Sequence, residues 1–186
     1  MSAGHSQRVS LFYAPFREGA GHSHDLLYRA AARCSGRSPG ALGPLVSGPW
    51  GKPAFSRCPQ FHFSLSHSGA WWLCAFSSRP VGLDLQIHRS FTSPQTLSRR
   101  FFHPLEDAFL AAGDYRDFFD LWSAKESYVK LTGRGFYLDP AAFSVVSPEG
   151  RFPSIPEGTL RLLPFQSGYS LCLCTLRPAR VSLACV

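Results

Sequence analysis

No apolar run in this chain approaches the ~18 residues that a membrane span requires. Residues 1–20 hold Arg8, Arg17 and Glu18 rather than an apolar stretch before a small-residue cleavage site, so no secretory leader is expected. None of the six cysteines forms a C-x-x-C pair, which excludes a zinc ribbon and a thioredoxin-like motif. Cys34, Cys58, Cys74, Cys172, Cys174 and Cys185 therefore read as reduced, buried thiols, and the expected compartment is the cytoplasm. The G-x-S-x-G turn of the α/β-hydrolases is missing. So are an internal repeat, a three-residue glycine period and a linker long enough to separate independent domains. Lysine is scarce: the 19 basic residues include only Lys52, Lys125 and Lys130.

What is present suits a packed domain. The chain has 186 residues, 45% of them apolar, and 16 Phe, 6 Tyr and 4 Trp argue against disorder. That length fits one domain or two small lobes with a real core. The net charge is +7, and most of it lies in residues 1–60, where seven basic residues face only Glu18 and Asp25. Such a surface suits phosphates or an acidic protein, or is simply a solvated face.

The pattern predicts an α+β fold with largely antiparallel pairing. Strands are expected at 8–16, from Phe61 to Leu65, and at 71–76, 81–87, 142–147, 159–164 and 169–176. Ser66-His67-Ser68-Gly69 breaks the alternation after Leu65, and Ser77-Ser78-Arg79-Pro80 between 71–76 and 81–87 reads as a hairpin turn. Helices are expected at 24–34 with Ser23 as N-cap, after Pro94, after Pro104, and at 115–132 up to Gly133.

Four groups of residues carry chemistry. Asp84 and Gln86 share a strand face about 6.6 Å apart and can bracket a hard cation, or lie on a solvated sheet face. Trp122, Glu126 and Lys130 follow i, i+4, i+8 spacing on one helix face. A Glu–Lys pair four apart is commonly a surface pair, but this helix is apolar around much of its circumference. His67 beside Ser66 and Ser68 can hold a phosphate, or is a structural histidine. Gly51-Lys52-Pro53 holds a lysine in a turn.

In their order and spacing, Gly51-Lys52-Pro53, Phe63-Ser64-Leu65-Ser66-His67-Ser68-Gly69, Val81-Gly82-Leu83-Asp84-Leu85-Gln86 and Trp122-Ser123-Ala124-Lys125-Glu126-Ser127-Tyr128-Val129-Lys130 resemble the larger, Sfp-like 4′-phosphopantetheinyl transferases. The likeness covers residues 50–176 and extends loosely to 8–34. It implies two similar α+β lobes about a pseudo-twofold axis, here roughly 1–78 and 79–186, in a monomer. It implies coenzyme A in the cleft, transfer of its phosphopantetheine arm to a serine of an apo acyl or peptidyl carrier protein, and dependence on Mg²⁺, replaceable by Mn²⁺. By the same resemblance Asp84 and Glu126 are metal ligands with Gln86 beside them, where many relatives have Glu. Glu126 takes the serine proton and Lys130 meets the phosphates. Lys52, Pro53, Ser66, His67 and Lys125 line the coenzyme site. His22, His24, Arg29 and Arg33 are candidates for its 3′-phosphate. The competing readings are a non-catalytic relative that binds coenzyme A or a carrier, and a basic nucleic-acid module. The latter would need a basic run beside Trp71-Trp72, which is absent, so neither nucleic acid nor membrane is expected as a partner.

Overall fold

The computed structural model describes residues 6–17, 19, 21–90 and 93–186. Glu18 and the first five residues, which entered the charge and leader readings, lie outside them.

Strand β1 (Gln7–Pro15) leads into helix α1 (His22–Ser35), a short turn α2 (Pro39–Leu42), and the paired strands β2 (Leu45–Ser47) and β3 (Pro53–Phe55). Next come β4 (His62–Ser68), β5 (Trp71–Ser77) and β6 (Val81–Ile87). Three helices follow, α3 (Pro94–Phe101), α4 (Pro104–Ala112) and α5 (Phe118–Thr132). Strands β7 (Thr159–Leu162), β8 (Tyr169–Thr175) and β9 (Ala179–Cys185) close the chain.

One sheet runs β4-β5-β1-β9 and another runs β6-β8-β7. Among the described residues the strand pairings are antiparallel except β1 with β9, which is parallel. The period-two alternation of the strands builds the layers. Val9, Leu11, Leu73 and Ala75 of the first sheet meet Leu83, Leu85, Leu171 and Leu173 of the second in one core. The opposite face of the first sheet, with Phe12, Trp72 and Phe76, receives Leu26, Leu27, Ala30 and Ala31 of α1. The opposite face of the second, with Cys172 and Cys174, receives Leu121, Ala124 and Leu131 of α5. Two sheets thus pack back to back between helices.

Several expected elements are corrected. The hairpin of 71–76 with 81–87 does not form: both edges of β5 are taken, by β4 and β1, and β6 crosses into the second sheet beside β8. The hairpin is β4–β5. It extends through Ser66-His67-Ser68 to the pair Ser68–Trp71, with Gly69 at φ 56° in the turn. The strand at 142–147 is absent, because side chains occupy its backbone groups. Val145 N–H donates to Glu106 Oε1 at 2.7 Å, and the Ser144 hydroxyl donates to Val146 O and accepts from Val146 N. Helix α5 starts at Phe118 rather than 115, since Asp114 and Tyr115 hold φ of 54° and 56°, outside helical space. Gly21, not Ser23, stands at the N-cap of α1, and the Ser23 hydroxyl accepts from Trp72 Nε1 instead. Strand β9 was not expected. Two cysteines depart from the buried reading: Cys34 is half-buried and Cys185 exposed, though all six are unpaired thiols.

Candidate active site

Helix α5 lies close over β6 because Gly82 permits it. A Cβ there would sit 1.8 Å from Ser127 O and 2.5 Å from Leu131 N, so no larger residue fits. The Ser123 hydroxyl donates to Asp84 O at 2.9 Å and fixes the register of helix against strand. The polar face of β6 is thereby set beneath the Trp122–Glu126–Lys130 face of α5.

Asp84 is 2% exposed, and three side chains constrain its carboxylate. Oδ1 accepts from Lys130 Nζ at 2.6 Å and from Ser66 Oγ at 2.9 Å, and Oδ2 accepts from Gln86 Nε2 at 3.0 Å. Burial and the negative charge of Asp84 raise the Glu126 carboxyl above the usual range, against the smaller opposing effects of Lys130 and Lys125. Two carboxylates therefore share one partly desolvated region, with an ammonium between the helix and Asp84.

Glu126 and Lys130 open into a cavity of about 860 Å³, also lined by Lys52, Pro53, Phe63, Trp122 and Tyr137. Lys52 turns its ammonium inward. Its Nζ donates to Val81 O at 2.9 Å and to Lys130 O, a carbonyl of the last turn of α5. Burial lowers this ammonium to about 8, with the Lys130 charge adding to the effect and Cys174 opposing it. Lys52 therefore ties the end of α5 to the start of β6, and its stem and Pro53 form the wall.

The structure brings Asp84, Gln86, Glu126, Lys130 and Ser66 together. It does not bring Lys125 to them. That side chain is 3% exposed and points away into the core, bonding Glu106 at 2.7 and 2.8 Å and Phe143 O at 2.8 Å. Glu106 is fully buried and also accepts from His103 N and Val145 N. This correction follows from helix geometry: adjacent residues lie about 100° apart, so Lys125 and Glu126 cannot share a face. Sequence reading missed the pairing of Glu106 with Lys125, since nothing local links residues 106 and 125.

Ser66 and His67 also separate, because neighbours on a strand face opposite ways. Ser66 faces Asp84, while exposed His67 stacks on Phe16 at 4.3 Å, and Phe16 stacks on His22 at 5.8 Å. Of the other candidates, His24 stands by Tyr28 and Arg29 is exposed. Arg33 is engaged with Cys185 O at 2.8 Å.

Asp84 and Glu126 supply carboxylate oxygens, while the Lys130 ammonium, the Gln86 amide and the Ser66 hydroxyl lie against Asp84. The donor set fits a hard divalent cation. Among the described residues no group of three or more His, Cys, Asp or Glu gathers for a metal, so any such ion rests on two carboxylates and other oxygens. Among the same residues no helix is long and apolar enough to cross a membrane.

In this α+β fold Glu126 and Lys130 line a large cleft beside the buried Asp84, and the sequence comparisons name the class. The chain belongs to the 4′-phosphopantetheinyl transferase superfamily, whose profile matches residues 80–184. A 4′-phosphopantetheinyl transferase of Bacillus subtilis is 35% identical over 167 residues, covering 83% of this chain and 72% of the relative. The 4′-phosphopantetheinyl transferase Sfp of Bacillus subtilis strain 168 is 34% identical over 141 residues, 69% of this chain and 61% of the relative. The 4′-phosphopantetheinyl transferase psf-1 of Bacillus pumilus is 31% identical over 153 residues, 69% of this chain and 59% of the relative. This chain thus spans between 59% and 72% of the length of these relatives. The family, and with it a transferase, is the one the motifs resembled.

Proposed function

We infer that this protein moves the 4′-phosphopantetheine arm of coenzyme A onto a serine of an apo acyl or peptidyl carrier protein. The observation that carries this reading is the pair Glu126 and Lys130 lining the cavity beside Lys52 and Pro53, with Lys130 bonded to the buried Asp84.

In the reaction the serine oxygen attacks the phosphorus that bears the pantetheine arm. The bond to the bridging oxygen breaks, and adenosine 3′,5′-bisphosphate leaves. Glu126, whose affinity for a proton is raised by burial and by Asp84, receives the serine proton. Lys130, 29% exposed and lying between Asp84 and the cavity, supplies the positive charge that meets the pyrophosphate. Asp84 and Glu126 would hold Mg²⁺, or Mn²⁺ in its place, with Gln86 beside Asp84. The ion when bound neutralises pyrophosphate charge and sharpens the electrophilic phosphorus. His67, on its Phe16 support and near His22, receives the nucleotide end, and the excess positive charge of residues 1–60 favours that polyanion.

The expected arrangement is a monomer acting in the cytoplasm, with lobes of about 1–78 and 79–186. In it β9 returns from the second lobe to extend the first sheet beside β1. Incubation with coenzyme A, Mg²⁺ and an apo-carrier tests the reading. Chromatography should show release of adenosine 3′,5′-bisphosphate that depends on the carrier, and release equal to a no-enzyme control would refute it.

A further inference from the structure

Strands β4 and β6 belong to different sheets, yet a line of serine hydroxyls joins them. Ser64, Ser66 and Ser68 lie on one face of β4, which looks toward the second sheet. Their oxygens accept from the backbone N–H groups of Leu83 at 2.9 Å, Leu85 at 3.1 Å and Ile87 at 3.0 Å. Each partner is 19 residues on, so the two strands run parallel and side chains replace the missing backbone ladder. The N–H groups on the open edge of β6 are thereby satisfied.

The middle serine does more than its neighbours. A hydroxyl has one proton to give and lone pairs to accept with. Ser66 accepts from Leu85 N–H on one side and donates to Asp84 Oδ1, at 2.9 Å, on the other. Because the accepted bond fixes the oxygen, the donated one fixes the carboxylate. Ser66 is 6% exposed and its strand neighbour His67 faces the other way, so its hydroxyl is turned from the stacked His67 toward Asp84.

We propose that Ser66 is a positioning residue for Asp84, holding the carboxylate in the orientation in which it takes a divalent cation, and that it is not a ligand of the coenzyme phosphates. The assignment rests on the proposed function, since the cation belongs to that reading. Outer hydrogen bonds of this kind restrict a ligand's rotation before the ion arrives, and losing one typically weakens metal binding by 10- to 100-fold. The neighbouring rung Ser64 makes the same bond to β6 without a carboxylate contact in the structure, which makes it the control.

The test is a Mn²⁺ titration of the protein with coenzyme A and no carrier, read by electron paramagnetic resonance, for wild type, Ser66→Ala, Ser66→Thr and Ser64→Ala. Calorimetry measures coenzyme affinity alongside. Ser66→Ala should weaken Mn²⁺ binding on the order of 10-fold, with the coenzyme dissociation constant in excess Mn²⁺ within about twofold of wild type. Ser66→Thr, which keeps the hydroxyl, and Ser64→Ala should both bind Mn²⁺ nearly as the wild type does. Loss of coenzyme affinity in Ser66→Ala with unchanged Mn²⁺ binding would make Ser66 a phosphate ligand and overturn the proposal. Equal weakening in Ser64→Ala would reduce the effect to the ladder alone and also overturn it. If Ser66→Ala fails to fold, Ser66→Thr and Ser66→Cys decide, since only the weaker thiol donor should lose Mn²⁺ affinity. A wild type that binds no Mn²⁺ in the presence of coenzyme A would instead refute the cation reading itself.

Discussion

Lys130 reaches across from α5 to Asp84 on β6, with Nζ 2.6 Å from Oδ1, while Gln86 holds the other carboxylate oxygen at 3.0 Å. An ammonium in contact with a buried carboxylate marks the place where the fold gathers opposite charges, and the cleft opens beside it.

Removing that ammonium should be costly where an ordinary surface cation is not. Lys130→Met keeps the stem and loses the charge. A charge-assisted hydrogen bond is worth about 1.5–3 kcal/mol, which is roughly 10- to 100-fold in kcat/KM for coenzyme A. Exposed Arg99 carries no such contact in the structure, so Arg99→Ala should stay within about 0.5 kcal/mol of wild type. Equal kinetic constants for the two variants would remove Lys130 from the site.

Glu126 gives a pH signature. Its carboxyl is raised by burial and by Asp84, so the folded state binds a proton more tightly than the unfolded chain does. Stability therefore falls as pH rises from the ordinary glutamate range through the raised value, and the full penalty is present above it. Without divalent cation, Glu126→Gln should melt higher than wild type near pH 8 and converge with it below pH ~4. The same substitution should reduce transfer by at least ~100-fold, as expected for loss of a general base. A melting difference that grew on acidification would contradict this account of Glu126.

The Glu106–Lys125 pair is buried and fully bonded, so breaking it should be felt in stability rather than in coenzyme binding. Glu106→Gln or Lys125→Met should each cost about 3–5 kcal/mol in denaturant unfolding, because one partner is left buried without its counter-charge. The KM for coenzyme A of the remaining folded Lys125→Met protein should stay within about twofold of wild type. A large rise in that KM with little loss of stability would return Lys125 to the coenzyme site.

Local sequence carries those parts of the molecule that depend on a single element. Alternation placed Asp84 and Gln86 on one face of β6, and helical spacing placed Trp122, Glu126 and Lys130 on one face of α5. Both placements hold, because each depends on a single element. What failed depended on partners distant in sequence. Nothing near Lys125 points to Glu106, and nothing in β5 says that its edges are occupied by β4 and β1. The apolar run at 142–147 looked like a strand until Glu106 took the Val145 N–H. Ser66 and His67 were adjacent in a motif but belong to opposite faces, which a two-residue period would have shown had β4 been carried through to Ser68.

Gln86 sets an amide beside Asp84 on the polar face of β6. Its N–H now donates to Asp84, so Gln86→Glu would set a second carboxylate against the first. Without divalent cation that variant should melt lower than wild type, from repulsion in a partly buried site. Mg²⁺ should raise its melting temperature more than that of the wild type, and half-maximal activity should require less Mg²⁺. An unchanged Mg²⁺ requirement in a folded, active variant would place residue 86 outside the reach of the ion.

The most direct test of the central claim is intact-mass spectrometry of a panel of apo acyl and peptidyl carrier proteins incubated with this protein, coenzyme A and Mg²⁺. The account predicts that at least one carrier gains a single phosphopantetheine arm, at its serine. It also predicts that the gain disappears with chelator, with Asp84→Ala and with Glu126→Ala, while both variants remain folded by circular dichroism. Carriers of unchanged mass despite measurable coenzyme A binding by the wild type, or full modification by either carboxylate variant, would contradict it.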